Sequence, residues 1–174
     1  MYGKAITKVA HWLTKAASVA ENEQQKKALE LLVKYYHSGD LADFDAYNIA
    51  WVNDTSSDVD VINGFIEVYD DPLAYRGSFE SVVSVKDHQA TKVISAIADQ
   101  AQWFEDNSPL IESHKKKEVK GITGKAIIVV VESGDASPST PVGINLPNAN
   151  WIRAEHGSKS VSLTNIVGAY DQVR

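Results

Sequence analysis

The sequence predicts an α+β fold, with N-terminal helices packed on a mixed or antiparallel sheet and a helical excursion leaving it. Three observations carry this expectation. The first third repeats apolar residues at helical spacing. After Asn53 the chain switches to runs of β-branched and aromatic residues, which favour strands. A helical pattern then returns between two such runs, which breaks the regular strand–helix alternation of a parallel α/β sheet.

The elements follow in order. Ile6, Val9, Ala10, Leu13, Ala16 and Ala17 make one face of a first helix, with Lys4, Lys8 and Lys15 off it. A second helix fits Glu23 to His37, capped by Asn22, striped by Leu29, Leu32, Val33 and Tyr36, and stopped by Gly39. Asp40 can cap a third, with Leu41, Phe44, Tyr47 and Trp51 on one side. Asp54 to Asp58 is a polar turn cluster. Val59 to Tyr69 reads as extended chain, ended by the turn Asp70-Asp71-Pro72, and Phe79 to Val85 as a second strand. His88 to Phe104 returns to helical spacing through Val93, Ile94, Ile97 and Ala101. A polar stretch follows, ending in His114-Lys115-Lys116-Lys117. Ala126 to Val131 reads as a buried strand, Ser133 to Thr140 as a loop, and Gly143 to Leu146 as extended chain before Pro147. Thr164 can cap a last helix with Ile166, Val167, Tyr170 and Val173 on its face. Its pattern is still running at Arg174, so the chain is expected to end inside an element.

Composition narrows the function classes. The 174 residues are 44% hydrophobic and 23% charged, ordinary for a globular protein. A net charge of -6 opposes binding to nucleic acid or an anionic membrane, both of which need a basic face. The lysine run at 115–117 has no interleaved aromatics and reads as a solvated connector. There is no cysteine, which excludes disulfides, thiol nucleophiles and Cys-ligated metals. The longest purely apolar run, Ala126 to Val131, is far too short to span a membrane. Charges within the N-terminal amphipathic pattern argue against a signal peptide, so a soluble chain is expected. The compartment of a longer parent stays open, with the cytoplasm favoured. The five histidines show no His-Glu-x-x-His spacing, so no metal ligand set is expected in this chain. Gly-x-Gly-x-x-Gly, Walker and Gly-x-Ser-x-Gly spacings are missing too.

Two segments could carry chemistry. In Asn63-Gly64-Phe65-Ile66-Glu67-Val68-Tyr69, strand alternation would put Glu67 and Tyr69 on one face, where a carboxylate and a phenol can reach the same ligand. On pattern alone a plain exposed strand face is the favoured reading. In Thr140 to Asn148, Pro147 points to a sheet edge, where an extended peptide can add as another strand. On pattern alone a plain strand-to-loop transition is the favoured reading there.

Taken together these segments are more specific. Asn63-Gly-Phe-Ile-Glu-x-Tyr-x-Asp-Pro72 with Arg76-Gly-x-Phe-Glu80 resembles the dipeptidyl peptidase III family of zinc metallopeptidases. Gly143-Ile-Asn-Leu-Pro-Asn148, then Ile152-Arg153 and Gly157-x-Lys-x-Val-Ser-Leu-x-Asn165, resembles the same family in the same order. The similarity covers essentially the whole chain and is greatest to bacterial members.

The resemblance implies a two-lobed enzyme that releases N-terminal dipeptides, with a β-barrel lobe that binds peptide along an edge strand and a helical lobe that carries zinc. It implies that Glu67 binds the substrate's terminal ammonium and that Tyr69, the catalytic residue here, helps stabilise the oxyanion. It implies that Gly143, Asn145 and Asn148 hold the first two substrate residues. The family's zinc motif, His-Glu-x-x-Gly-His, and its further Glu ligand lie downstream of everything matched. On this reading residues 1–174 are one fragment of the peptide-binding lobe, and 88–124 are an excursion toward the missing zinc-binding lobe. Zinc belongs to the full-length parent, and the isolated fragment is expected to be inactive. Its expected partners are a peptide with a free amino terminus and the missing lobe. Self-association through Trp103, Phe104, Ile166, Val167 and Tyr170 is a further expectation. The alternative is a stand-alone, non-catalytic peptide-binding or structural module.

Overall fold

The structure is a computed structural model that describes residues 2–69, 71–73, 75, 77–119, 121–137 and 140–172. The expectations placed on Asp70, Arg76, Val173 and Arg174 fall outside the described residues. In chain order the elements are α1 (Gly3–Ala17), α2 (Glu23–Ser38), α3 (Leu41–Asn53), β1 (Val59–Glu67), β2 (Ser78–Lys86), α4 (His88–Ala98), α5 (Ala101–Asp106), β3 (Ile122–Gly134), β4 (Gly143–Leu146), α6 (Asn150–Glu155), β5 (Ser158–Leu163) and α7 (Thr164–Asp171). They form two compact units, Met1–Ser57 with Ala149–Gly157, and Asp58–Asn148 with Ser158–Arg174.

The helical unit follows from its caps. The Asn22 side chain accepts from the Gln25 amide and opens α2, and Gly39 closes it in the left-handed region at φ 68°. Asp40 opens α3 by accepting from the Ala42 amide. The three helices bury Ala10, Leu13 and Ala17 of α1, Ala28, Leu29 and Leu32 of α2, and Tyr47, Ala50, Trp51 and Val52 of α3. Leu41, expected on the apolar side of α3, is 70% exposed because it stands at the open first turn. The short α6 packs on α3 through the fully buried Ile152.

The second unit is a five-stranded mixed sheet in the order β1-β2-β3-β5-β4, curled into a half-barrel. β1, β2 and β3 are antiparallel neighbours, β3 pairs with β5 in parallel, and β4 pairs with β5 antiparallel. Its core joins Ile127, Val161 and Leu163, with Val129, Ile144 and Ile166 packed against them. Lys159 of β5 is fully buried and donates to Asp60 of β1 at 3.0 Å. Three strand gaps separate these residues in the sheet order. Flat, that is roughly 14 Å, so the bond requires the curl.

Several boundaries differ from the sequence reading. The segment His88–Phe104 is two helices, broken at Asp99 and Gln100. Asp87 caps the first of them through the amides of Gln89 and Ala90. β3 runs from Ile122 to Gly134, well beyond the apolar run that signalled it. β5 and α6 were not anticipated as elements. Thr164 does not cap α7; it is the first helical residue, and its hydroxyl donates to the Ile127 carbonyl at 3.0 Å. Ile166 packs on the sheet core, whereas Val167, Tyr170, Trp103 and Phe104 are exposed. No described helix is long and apolar enough to cross a membrane.

Candidate functional site

The sheet curls so that its two edge strands reach one cavity. β1 and β4 lie at opposite ends of the strand order, yet Glu67, at the end of β1, and Gly143, Asn145 and Leu146 of β4 line the same space. Its volume is about 440 Å³, and Tyr69, Glu80, Asp135, Pro141 and Asn148 complete much of the wall. All five residues singled out in the sequence, Glu67, Tyr69, Gly143, Asn145 and Asn148, therefore meet at one place.

Glu67 and Tyr69 meet by a route that strand alternation did not foresee. β1 ends at Glu67, and its register against β2 shifts between Phe65 and Glu67. One extra residue on β1 opposes β2 there, which interrupts the simple two-residue facing rule. Tyr69 lies in the turn beyond the strand. Asp71 holds the chain after it by accepting from the amides of Leu73 and Tyr75, each at 3.0 Å. The Glu67 charge, and after it hydrogen bonding between the two side chains, raises the phenol pKa above its ordinary value. Tyr69 thus keeps its proton at neutral pH and stays a donor, although the ring is 84% exposed.

β4 is an edge strand, as Pro147 suggested, with β5 its one neighbour among the described strands. The Leu163 amide donates to the Val142 carbonyl at 3.1 Å, which fixes the ladder's phase. Residues 142, 144 and 146 turn their backbone groups toward β5 in this register, so those of Gly143 and Asn145 point to the open edge. Side chains alternate in step: Leu146 is buried, Ile144 packs on the core, and Gly143 and Asn145 are exposed. An extended peptide laid on this edge would find an N–H and a C=O at each of two positions.

Sequence reasoning missed Glu80 and Asp135 as parts of the wall. Glu80 sits in β2 and is only 7% exposed, between Gly64 of β1 and Gly134 of β3. Gly134 has φ 70°, and a Cβ there would collide with the Phe79 carbonyl, so no side chain can be added on that side. Burial raises the Glu80 carboxyl to about 7, and Glu67, Asp135 and Glu132 push in the same direction. The sequence signal was a lone acid in Phe79 to Val85, a run otherwise made of apolar residues and serines. Among the described residues no group of three or more His, Asp or Glu side chains is placed to hold a metal ion.

The comparisons with known proteins agree in direction. The family model described as peptidase family M49 matches residues 1–174. The chain is 31% identical over 170 residues to dipeptidyl peptidase 3 of Dictyostelium discoideum, covering 97% of this chain and 24% of that protein. It is 29% identical over 167 residues to a protein named Nudix hydrolase 3 of Arabidopsis thaliana, covering 95% of this chain and 21% of that one. The chain thus spans about a quarter of the length of these curated relatives. The solved structure of DPP III from Caldithrix abyssi superposes with a TM-score of 0.85 at 27% identity, over 98% of this chain and 33% of that one. The α+β architecture with its half-barrel sheet is the one found in that structure. A match along the whole sequence, joined to this likeness of fold, assigns the chain to peptidase family M49.

Proposed function

We propose that this chain is the substrate-binding part of a dipeptidyl peptidase, and that its cavity captures the free amino terminus of a peptide. The observation that carries the reading is the convergence of Glu67 and Tyr69 with the open edge of β4 on one cavity. A dipeptide-releasing enzyme must measure two residues from a free amino group. An edge strand fixes the extended backbone, and a carboxylate fixes its charged end through charge-assisted hydrogen bonds.

In this reading Glu67 takes the ammonium, Gly143 and Asn145 pair with the first residues of the peptide, and Asn148 adds an amide at the same end. The ammonium competes with Tyr69 for the Glu67 carboxylate. Once displaced, the phenol turns its O–H to the negative charge that develops on the attacked carbonyl. The zinc that the family resemblance implies finds no ligand set among the described residues. In this reading the role of the chain is binding and orientation, and by itself it should release no dipeptide.

Peptide affinity, measured calorimetrically, tests the reading. Glu67→Ala should weaken a free-amino peptide about tenfold or more, the size of one charge-assisted bond, and leave an N-acetylated peptide unchanged. In a full-length family enzyme carrying this segment, Tyr69→Phe should lower kcat by about 10–1000-fold with a smaller change in KM. Equal loss for both peptides, or unchanged kcat, would contradict it.

A further inference from the structure

We propose that capture of a peptide's amino terminus expels one proton from Glu80, so that the empty cavity holds one carboxylate charge fewer than the filled one. This deepens the reading above and rests on its placement of an ammonium at Glu67.

Glu80 lines the same cavity as Glu67 and is more than nine-tenths buried. Its side chain has no hydrogen-bond partner among the described residues, while its neighbours in the sheet, Gly64 and Gly134, bring no side chain beside it. Among the described residues, the groups that line its cavity or act on its charge are acidic or neutral. Glu67 and Tyr69 come from β1 and the turn after it. Glu132 and Asp135 come from β3 and the residues that follow. The β4 side offers Pro141, Gly143, Ile144, Asn145, Leu146 and Asn148, none of them charged. The described lining contains no lysine, arginine or histidine.

Glu67, Glu80 and Asp135 share the cavity with no cation in its described lining, so they cannot all ionise at ordinary cost and one retains its proton. The most buried is the one that does so, and Glu80 accordingly titrates near 7. An ammonium placed between them reverses the balance. The Glu80 O–H bond breaks, the proton passes to solvent, and the ammonium keeps all of its own. Affinity for a free amino terminus should then rise about fivefold between pH 6 and pH 7, as the proton to be expelled is already gone in more of the molecules. The rise ends near pH 8, where a peptide's α-amino group loses its charge.

The test is a calorimetric titration of the chain with an alanine tripeptide amide at pH 7, in two buffers of different ionisation enthalpy. Release of about half a proton per peptide is expected, because a group with its pKa at the working pH is half protonated. Release should vanish in Glu80→Gln. Preferential binding of the free peptide without proton release, or release that persists in Glu80→Gln, overturns this inference and leaves the proposed function standing. Equal binding of both peptides, or binding of neither, overturns both. A pH titration of carboxyl carbons by NMR gives a readout independent of binding. Glu80 should titrate near neutrality in the peptide-free chain, and a midpoint in the ordinary carboxylate range would overturn the inference.

Discussion

Glu80 makes the stability of the chain depend on pH in an unusual direction. A carboxyl whose pKa is raised on folding binds its proton more tightly in the native state than in the unfolded state. Stability is then highest below the unfolded value of 4.5 and falls as pH rises toward the folded value of about 7, beyond which the full loss is present. Glu80→Gln should therefore stabilise the chain at pH 8 by about 1–3 kcal/mol and change it little at pH 4.5, read as the denaturation midpoint at each pH. A variant equally or less stable at both pH values would show that the native carboxyl ionises without cost. Glu67 and Tyr69 were legible in the sequence because their two-residue spacing lies inside a recognisable segment. Glu80 lies in the neighbouring segment Arg76-Gly-x-Phe-Glu80, where nothing local sets it apart. What distinguishes it is the pair of glycines beside it, and these become its neighbours only once β1, β2 and β3 are in register.

At the scale of elements, strands held by polar residues were the hard ones to read. β5 is Ser-Lys-Ser-Val-Ser-Leu, a composition that suggests loop, yet four of its six residues are buried. Lys159 is tolerated in the interior because Asp60, far away in sequence, comes to meet it. Asp60→Ala would remove the carboxylate that accepts from the buried ammonium at 3.0 Å and should cost about 3–5 kcal/mol, measured by urea denaturation, whereas Lys159→Met should cost clearly less. A loss below about 0.5 kcal/mol for Asp60→Ala, the size of an ordinary surface change, would mean the pair does not hold the curl. The caps of α2 and α3 were readable because each is a local exchange within three residues. β4 was readable through Pro147. Its phase makes a sharper prediction. Asn145→Pro removes an amide facing the open edge and should weaken a bound peptide about three- to tenfold while the chain still folds. Ile144→Pro removes an amide facing β5 and should destabilise the strand itself, visible as lost amide protection on Val161. If Asn145→Pro unfolds β4 while Ile144→Pro does not, the assigned phase is inverted.

For the whole molecule, the α+β class followed from the order of patterns, and family membership from segments matched in order along the chain. The half-barrel was not readable locally, because it arises from the Lys159–Asp60 bridge and from pairings far apart in sequence, such as Ile127 with Leu163. The curl in turn brings opposite sheet edges to one cavity, so the site is a property of the assembled sheet and not of either segment. The most direct measurement is an amide NMR titration of the chain with an alanine tripeptide amide and with its N-acetylated form. The free peptide should shift the amides of Gly143 and Asn145 together with those around Glu67 and Tyr69, at one common affinity, and the acetylated peptide should shift them far less. Shifts confined to one strand, or equal responses to the two peptides, would contradict a cavity built to hold a peptide's amino terminus.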